Sequence, residues 1–357
     1  MRSALAIAAA LAMTAQNAPP PDPHRHAYDL GDFRLESGVT LPHATLAYAT
    51  FGTLNAQRDN AILIPSWYGS DHHGYDFLIG PGLALDPAKY FLVATEMFAN
   101  GFSSSPSNTP APFDGPAFPA VAIRDNVEAA RRLLAGELGV PHLRAVVGFS
   151  MGAEQAFQWA VSHPDYVTDI VAYCGTAKTY PHGVVRLESA ISALSADAAF
   201  ADGRYTSPPI KGLEAWSRHW LAWVWSQEWW RRELFKPQSA TVDDVVASRI
   251  ARDRGRDPNN LIAQARTWQR HNVGDTPGFH GDHERALASI RARVLYMPGE
   301  TDLYFPVGDA KYESQFIKRV TFAPIPSLWG HSAGSGGNKA DVDFLNRRIG
   351  DFLGETR

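Results

Sequence analysis

Three observations predict an α/β fold: a mainly parallel sheet flanked by helices, with an inserted helical lid. Short apolar runs alternate with helical patterns through the first half of the chain. The pentapeptide Gly148-Phe149-Ser150-Met151-Gly152 fits G-x-S-x-G and joins one such run to one such helix. The alternation stops near residue 182 and resumes near residue 287, so a single core frames an insertion.

Residues 28–54 alternate enough for two opening strands, with a turn at Ser37-Gly38. Ala61–Ile64 reads as a buried strand ending at Pro65, and Tyr90–Ala94 as another. Ile123–Leu138 has charged and apolar residues at helical spacing. Leu143–Val147 is the strand before the serine turn, Ala153–Val161 the helix after it, and Ile170–Tyr173 the next strand. Val294–Met297 and Val320–Ala323 are late strands, and residues 339–353 form a closing helix. The core is therefore expected at 28–181 and 287–357, with the lid at 182–286.

Six of the ten tryptophans cluster between Trp216 and Trp230 in that lid. Trp216, Trp220 and Trp223 fall at i, i+4 and i+7, one face of a helix. Such a stripe packs a core or an oligomer interface, and a lid adds a third use, an aromatic wall for a substrate. Trp216 and Trp220 are the candidates for that wall.

A chain of 357 residues, 45% hydrophobic, can bury a large core. Net charge is −4 and no basic stripe appears, so nucleic acid is not an expected partner. Arg2 precedes an apolar run from Ala4 to Met13, then small residues, then Pro19-Pro-Pro21-Asp-Pro23. This reads as a secretory leader over 1–18 and a proline-rich spacer over 19–27, giving a periplasmic or secreted protein. The run is too short for stable membrane insertion. The single cysteine, Cys174, makes no internal disulfide and reads as a buried structural thiol. Asp71-His72-His73 reads as an exposed loop, because adjacent histidines do not usually face one ion. No metal or cofactor is expected.

A serine hydroxyl is a poor nucleophile until a base takes its proton, and the base needs a third group to orient it. In sheets of this kind the order along the chain is Ser, acid, His. Asp302 follows the strand ending at Met297, and His331 follows the next strand. Glu300 is the rival acid; Asp302 is preferred because it lies deeper in the loop, ahead of Pro306. Its competing reading is a helix cap. A tetrahedral oxyanion needs two N–H donors. One is expected from Met151 and the other from Trp67 or Tyr68, between which the sequence does not choose. A serine at this turn excludes reactions that require a carboxylate nucleophile there.

These residues sit within a wider pattern. Tyr48-Ala-Thr-Phe-Gly52-Thr-Leu-Asn55, Ile79-Gly-Pro-Gly82, Asp86-Pro-Ala-Lys-Tyr90-Phe, Gly148 to Trp159, Gly203-Arg-Tyr205, Asp257 to Asp275 and the Asp302 and His331 loops recur together. The chain so resembles the homoserine O-acetyltransferase family of α/β-hydrolases. The resemblance implies an α/β-hydrolase fold, a Ser-Asp-His triad, a helical lid and a homodimer joined through lid helices.

The departures bear on function. Family lids carry an arginine and a tyrosine that contact homoserine; those positions fall on Ser217 and Val224 here, with Arg218 one step away. Ser332 stands where an aspartate would bind the substrate ammonium, and Phe149 replaces a glycine. Phe149 and Arg218 join Trp216 and Trp220 as candidate substrate-lining residues. An unpaired zwitterion in a closed pocket is costly, and acetyl-CoA is a cytoplasmic donor. The expectation is an exported serine hydrolase of a carboxylic ester, or of an amide or lactone. The alternative is an O-acyltransferase, and a lesser one a non-catalytic binding module.

Overall fold

The structure, a computed structural model, describes residues 22–355. The expected leader and residues 19–21 of the spacer lie outside the described residues.

Two long strands open the fold as an antiparallel pair, β1 (Arg25–Arg34) and β2 (Thr40–Phe51). Gly38, at φ 85°, makes the turn between them. β1 starts at Arg25, three residues before the expected position, because Arg25, His26 and Ala27 already pair with Ala49, Tyr48 and Ala47. The next strands are β3 (Ala61–Pro65) and β4 (Phe91–Thr95). Helix α1 (Ile123–Arg132) is shorter than expected, since residues 133–137 wind into a π turn. β5 (Leu143–Phe149), α2 (Met151–Ser162) and β6 (Val167–Tyr173) follow.

A run of helices comes between β6 and the next strand. These are α3 (Pro181–Ser195), α4 (Ile210–Val224), α5 (Gln227–Arg231), α6 (Val242–Asp253), α7 (Pro258–Gln269) and α8 (His283–Ala288). Asp257 caps α7 through the Asn260 N–H, with Pro258 at the first helical position. The chain closes with β7 (Arg293–Met297), α9 (Val307–Ser314), β8 (Val320–Phe322) and α10 (Lys339–Gly354).

The eight strands form one sheet in the order β1-β2-β4-β3-β5-β6-β7-β8. β1 and β2 are antiparallel to their neighbours and all other pairings are parallel. Parallel strands covered on both faces are near-continuously apolar rather than alternating; β3 is apolar throughout, and β5 and β6 depart from the pattern at Arg144, Thr168 and Asp169 near their starts. On one face Leu63 and Val146 pack with Phe157 and Trp159 of α2. On the other, Ile64 and Val147 pack with Leu345 and Ile349 of α10.

The inserted helices are seated on the core by aromatic packing. Trp216, Trp220 and Trp268 cluster with Met151, just after the serine turn, and with Phe305. Among the described residues no helix is long and apolar enough to cross a membrane.

Candidate active site

β5 runs directly into a sharp turn at Ser150, whose backbone sits at φ 56°, ψ −123°. That conformation is strained for a residue with a side chain. The flanking glycines permit it. A Cβ on Gly148 would lie 2.0 Å from the Gly152 carbonyl oxygen, and one on Gly152 2.7 Å from the Pro65 oxygen. Ser150 N–H donates to the Tyr173 carbonyl at 3.1 Å, tying the turn to β6.

The structure brings Ser150, His331 and Asp302 together. Ser150 Oγ lies 3.1 Å from His331 Nε2, and His331 Nδ1 lies 2.8 Å from Asp302 Oδ2. A proton on Nδ1 donated to the carboxylate leaves Nε2 free to accept from the serine hydroxyl. Asp302 Oδ1 accepts from the N–H groups of Tyr304 (2.7 Å) and Phe305 (3.2 Å). The cap geometry of Asp302 thus engages one of its oxygens and the contact with His331 the other. Glu300, the rival acid, is exposed. The imidazole is enclosed by Phe149, with ring centroids 4.8 Å apart, and by Tyr304, stacked at 4.2 Å.

Met151 is the first residue of α2, so its N–H has no partner within the helix. In the loop after β3 the neighbouring donors are engaged. Ser66 N–H donates to Thr95, Gly69 N–H to Gln264 Oε1, and Ser70 N–H to the Trp67 carbonyl. This narrows the loop to the two residues expected, Trp67 and Tyr68. Beneath it the Tyr75 hydroxyl donates to the Pro65 carbonyl at 2.7 Å and accepts from the Phe149 N–H at 3.1 Å.

A cavity of about 510 Å³ opens over Ser150 and His331. Trp67, Tyr68, Phe149, Trp216 and Trp220 line it, as does Ser332. Trp216 Nε1–H donates to the Tyr68 hydroxyl at 3.3 Å.

Arg218 is a correction. It lies on the opposite face of α4 from Trp216 and Trp220, its side chain is 54% exposed, and it pairs with Glu214. Ser217 is also turned from the cavity, bonding the Leu213 carbonyl and Asp253 Oδ2.

Three arginines that the sequence reading passed over do line the cavity: Arg249, Arg252 and Arg256. Their i, i+3, i+7 spacing was the available signal. The fully buried Asp253 sits among them, with Arg249 Nε at 2.5 Å and Arg256 Nε at 3.2 Å. Burial opposes its charge, but the arginines prevail and hold its pKa below the usual value. Tyr304 was missed as well, because stacking on a histidine 27 residues away leaves no local pattern.

Cys174 is buried as expected, and burial, with the Asp302 charge nearby, pushes its thiol well up. His72 corrects the exposed-loop reading: it is buried, with Nδ1 2.9 Å from Glu96 Oε1, while His73 is exposed. Residues 72–78 wind into a 3-10 helix that turns the first ring inward.

The pattern of the α/β hydrolase fold family matches residues 62–334. The ethyl acetate hydrolase of Pseudomonas veronii is 37% identical over 333 residues, covering 91% of this chain and 94% of that protein. The homoserine O-acetyltransferase of Symbiobacterium thermophilum is 31% identical over 337 residues, covering 84% and 87%. The crystal structure of the acetyl esterase MekB superposes with a TM-score of 0.91 at 35% identity, covering 96% of this chain and 98% of that one. An acetylester hydrolase from Corynebacterium glutamicum gives 0.90 at 34%, covering 93% and 96%. The chain therefore belongs to the α/β hydrolase fold family, as an esterase-type member related to the homoserine O-acetyltransferases.

Proposed function

We propose that this enzyme hydrolyses small carboxylic esters, short-chain acetyl esters foremost, through an acyl-enzyme on Ser150. The observation that carries the reading is the continuous hydrogen-bonded line from Ser150 Oγ through His331 to Asp302, at the floor of an aromatic-walled cavity. The acetyl preference is taken from the names of the similar hydrolases.

In this reading Ser150 Oγ attacks the ester carbonyl as His331 Nε2 takes its proton. Asp302 holds the imidazole and stabilises the imidazolium. The oxyanion is received by the Met151 N–H and by the N–H of Trp67 or Tyr68. His331 then protonates the leaving alcohol. A water, deprotonated in turn by His331, releases the acid and restores Ser150.

Acyl transfer to an alcohol is the second reading, favoured by the 31% identity to a homoserine O-acetyltransferase. Ser332 and Val224 in the cavity and the buried Ser217 weigh against a homoserine site. The deciding experiment is turnover of p-nitrophenyl acetate with and without homoserine. Hydrolysis that disappears in Ser150→Ala, with no O-acetylhomoserine formed, is the expected result. Unchanged turnover in Ser150→Ala would sink the nucleophile assignment, and a dominant transfer product would favour the second reading.

The leader-like first residues support a location outside the cytoplasm. Pairing of two copies through the inserted helices is supported by the family resemblance and by Val185, Ile210 and Val242, which stand exposed on those helices. Fractionation and sedimentation equilibrium test the two statements.

A further inference from the structure

Away from the cavity, three side chains converge on one point. His72 Nε2 lies 2.9 Å and His73 Nε2 3.3 Å from the same oxygen, Asp22 Oδ2. One ligand atom from each residue falls within 4.8 Å of the others. Ligand atoms held at about 2.0–2.2 Å around a tetrahedral ion lie roughly 3.3 Å apart.

We propose that Asp22, His72 and His73 bind a divalent transition-metal ion, Zn²⁺ being the best match to two imidazoles and one carboxylate.

Four observations carry this. First, both imidazoles are oriented from behind by a carboxylate: His72 Nδ1 is 2.9 Å from Glu96 Oε1, and His73 Nδ1 is 3.0 Å from Asp76 Oδ2. A carboxylate on the far nitrogen is the usual support of a metal-bound histidine, since it fixes the tautomer that leaves Nε2 unprotonated. Second, His72 Nε2 and Asp22 Oδ2 are both buried and neither makes a well-formed hydrogen bond, despite their proximity. Leaving such atoms unsatisfied is expensive, and one cation satisfies both.

Third, the 3-10 turn overcomes the objection that neighbouring histidines diverge. Their ring centroids are 4.2 Å apart, inclined by only 34°. Fourth, the surroundings are acidic. Asp22, Asp71, Asp76 and Glu96 face the site beside the cation Arg25, whose Nη2 is bonded to Asp71 at 2.9 Å and lies 3.7 Å from Asp22 Oδ2. His73 is half exposed, so an ion can enter from solvent and retain water in its fourth position.

None of the three ligands lines the cavity over Ser150, so the ion acts on structure rather than on the ester. Asp22 lies three residues before β1, and His72 begins the turn that follows the Trp67–Ser70 loop. The ion staples the entering chain to the segment that carries the candidate oxyanion donors.

The test uses tag-free protein stripped with EDTA and titrated with Co²⁺, then Zn²⁺. The expected result is one ion per chain, visible d–d bands with Co²⁺ that Zn²⁺ abolishes, and a melting temperature raised by a few degrees. His73→Ala removes an exposed ligand that folding does not need; affinity should fall at least about 100-fold while ester turnover of the metal-free proteins stays equal. Asp76→Asn, acting only from behind, should weaken binding about 10-fold. Absence of stoichiometric binding, or equal affinity in wild type and His73→Ala, would overturn the proposal.

Discussion

Tyr304 lies nearly parallel to His331, ring centroids 4.2 Å apart and planes inclined by 26°, while its own N–H donates to Asp302 Oδ1 at 2.7 Å. One residue thus bears on both the proposed base and the acid that orients it. The ring does the bracing and the backbone the bonding. Tyr304→Ala should lower kcat for p-nitrophenyl acetate about 10–100-fold with little change in KM, since misorientation acts on the chemical step. Tyr304→Phe should stay near wild type. Equal loss in both variants would assign the effect to the hydroxyl instead.

The Tyr75 hydroxyl couples the loop after β3 to the strand before the serine, bonding Pro65 on one side and Phe149 on the other. Tyr75→Phe leaves a buried carbonyl and a buried N–H without that partner, a loss of about 1–3 kcal/mol. The urea midpoint should fall with an unchanged m-value. A midpoint equal to wild type would show that the bridge contributes nothing.

Two glycine substitutions should move stability in opposite directions. In Gly148→Ala the new methyl meets the Gly152 backbone at 2.0 Å, and rigid backbone cannot yield. Destabilisation of at least about 3 kcal/mol, or failure to fold, is expected. In Gly308→Ala the methyl meets nothing within 4 Å on an exposed turn of α9. A gain of about 0.5–1 kcal/mol is expected there. Thermal melts of the pair give the comparison.

Buried His271 should make the protein acid-sensitive. Burial, helped by the Arg124 charge, pushes its pKa down to about 3 from an ordinary value of 6.5. As pH falls from 6.5 towards 3 the unfolded chain takes up a proton that the folded chain refuses, so stability falls with pH across that window. His271 contributes fully above pH 6.5. In His271→Gln the loss between pH 7 and pH 4.5 should shrink by about 2 kcal/mol. Denaturant titrations at the two pH values measure it, and an unchanged difference would refute the assignment.

The strands and the serine turn were legible because each leaves a local mark: a mostly apolar run, a G-x-S-x-G between strand and helix, a late histidine. Asp302 and His331 were proposed from chain order and from their places in loops after late strands, and the structure brings both to Ser150. What failed were statements about direction. Arg218 was named for standing one step from a family arginine position, but the helical turn carries it 200° around from Trp216. His72 was read from its neighbours as exposed, whereas its surroundings are Glu96 and Asp22, 24 and 50 residues away. The arginines of the cavity wall and Tyr304 escaped for the same reason: their partners lie in other elements.

Ser150 and His331 are 181 residues apart in the chain, with the whole helical insertion between them. A growing polypeptide therefore holds its serine long before it holds the proposed base. Under the proposed mechanism, no amino-terminal fragment that stops short of the final loop carries an activated hydroxyl, however well its sheet has assembled. Reactivity towards a fluorophosphonate is in this sense a receipt for completed folding, issued only after the last strand has docked.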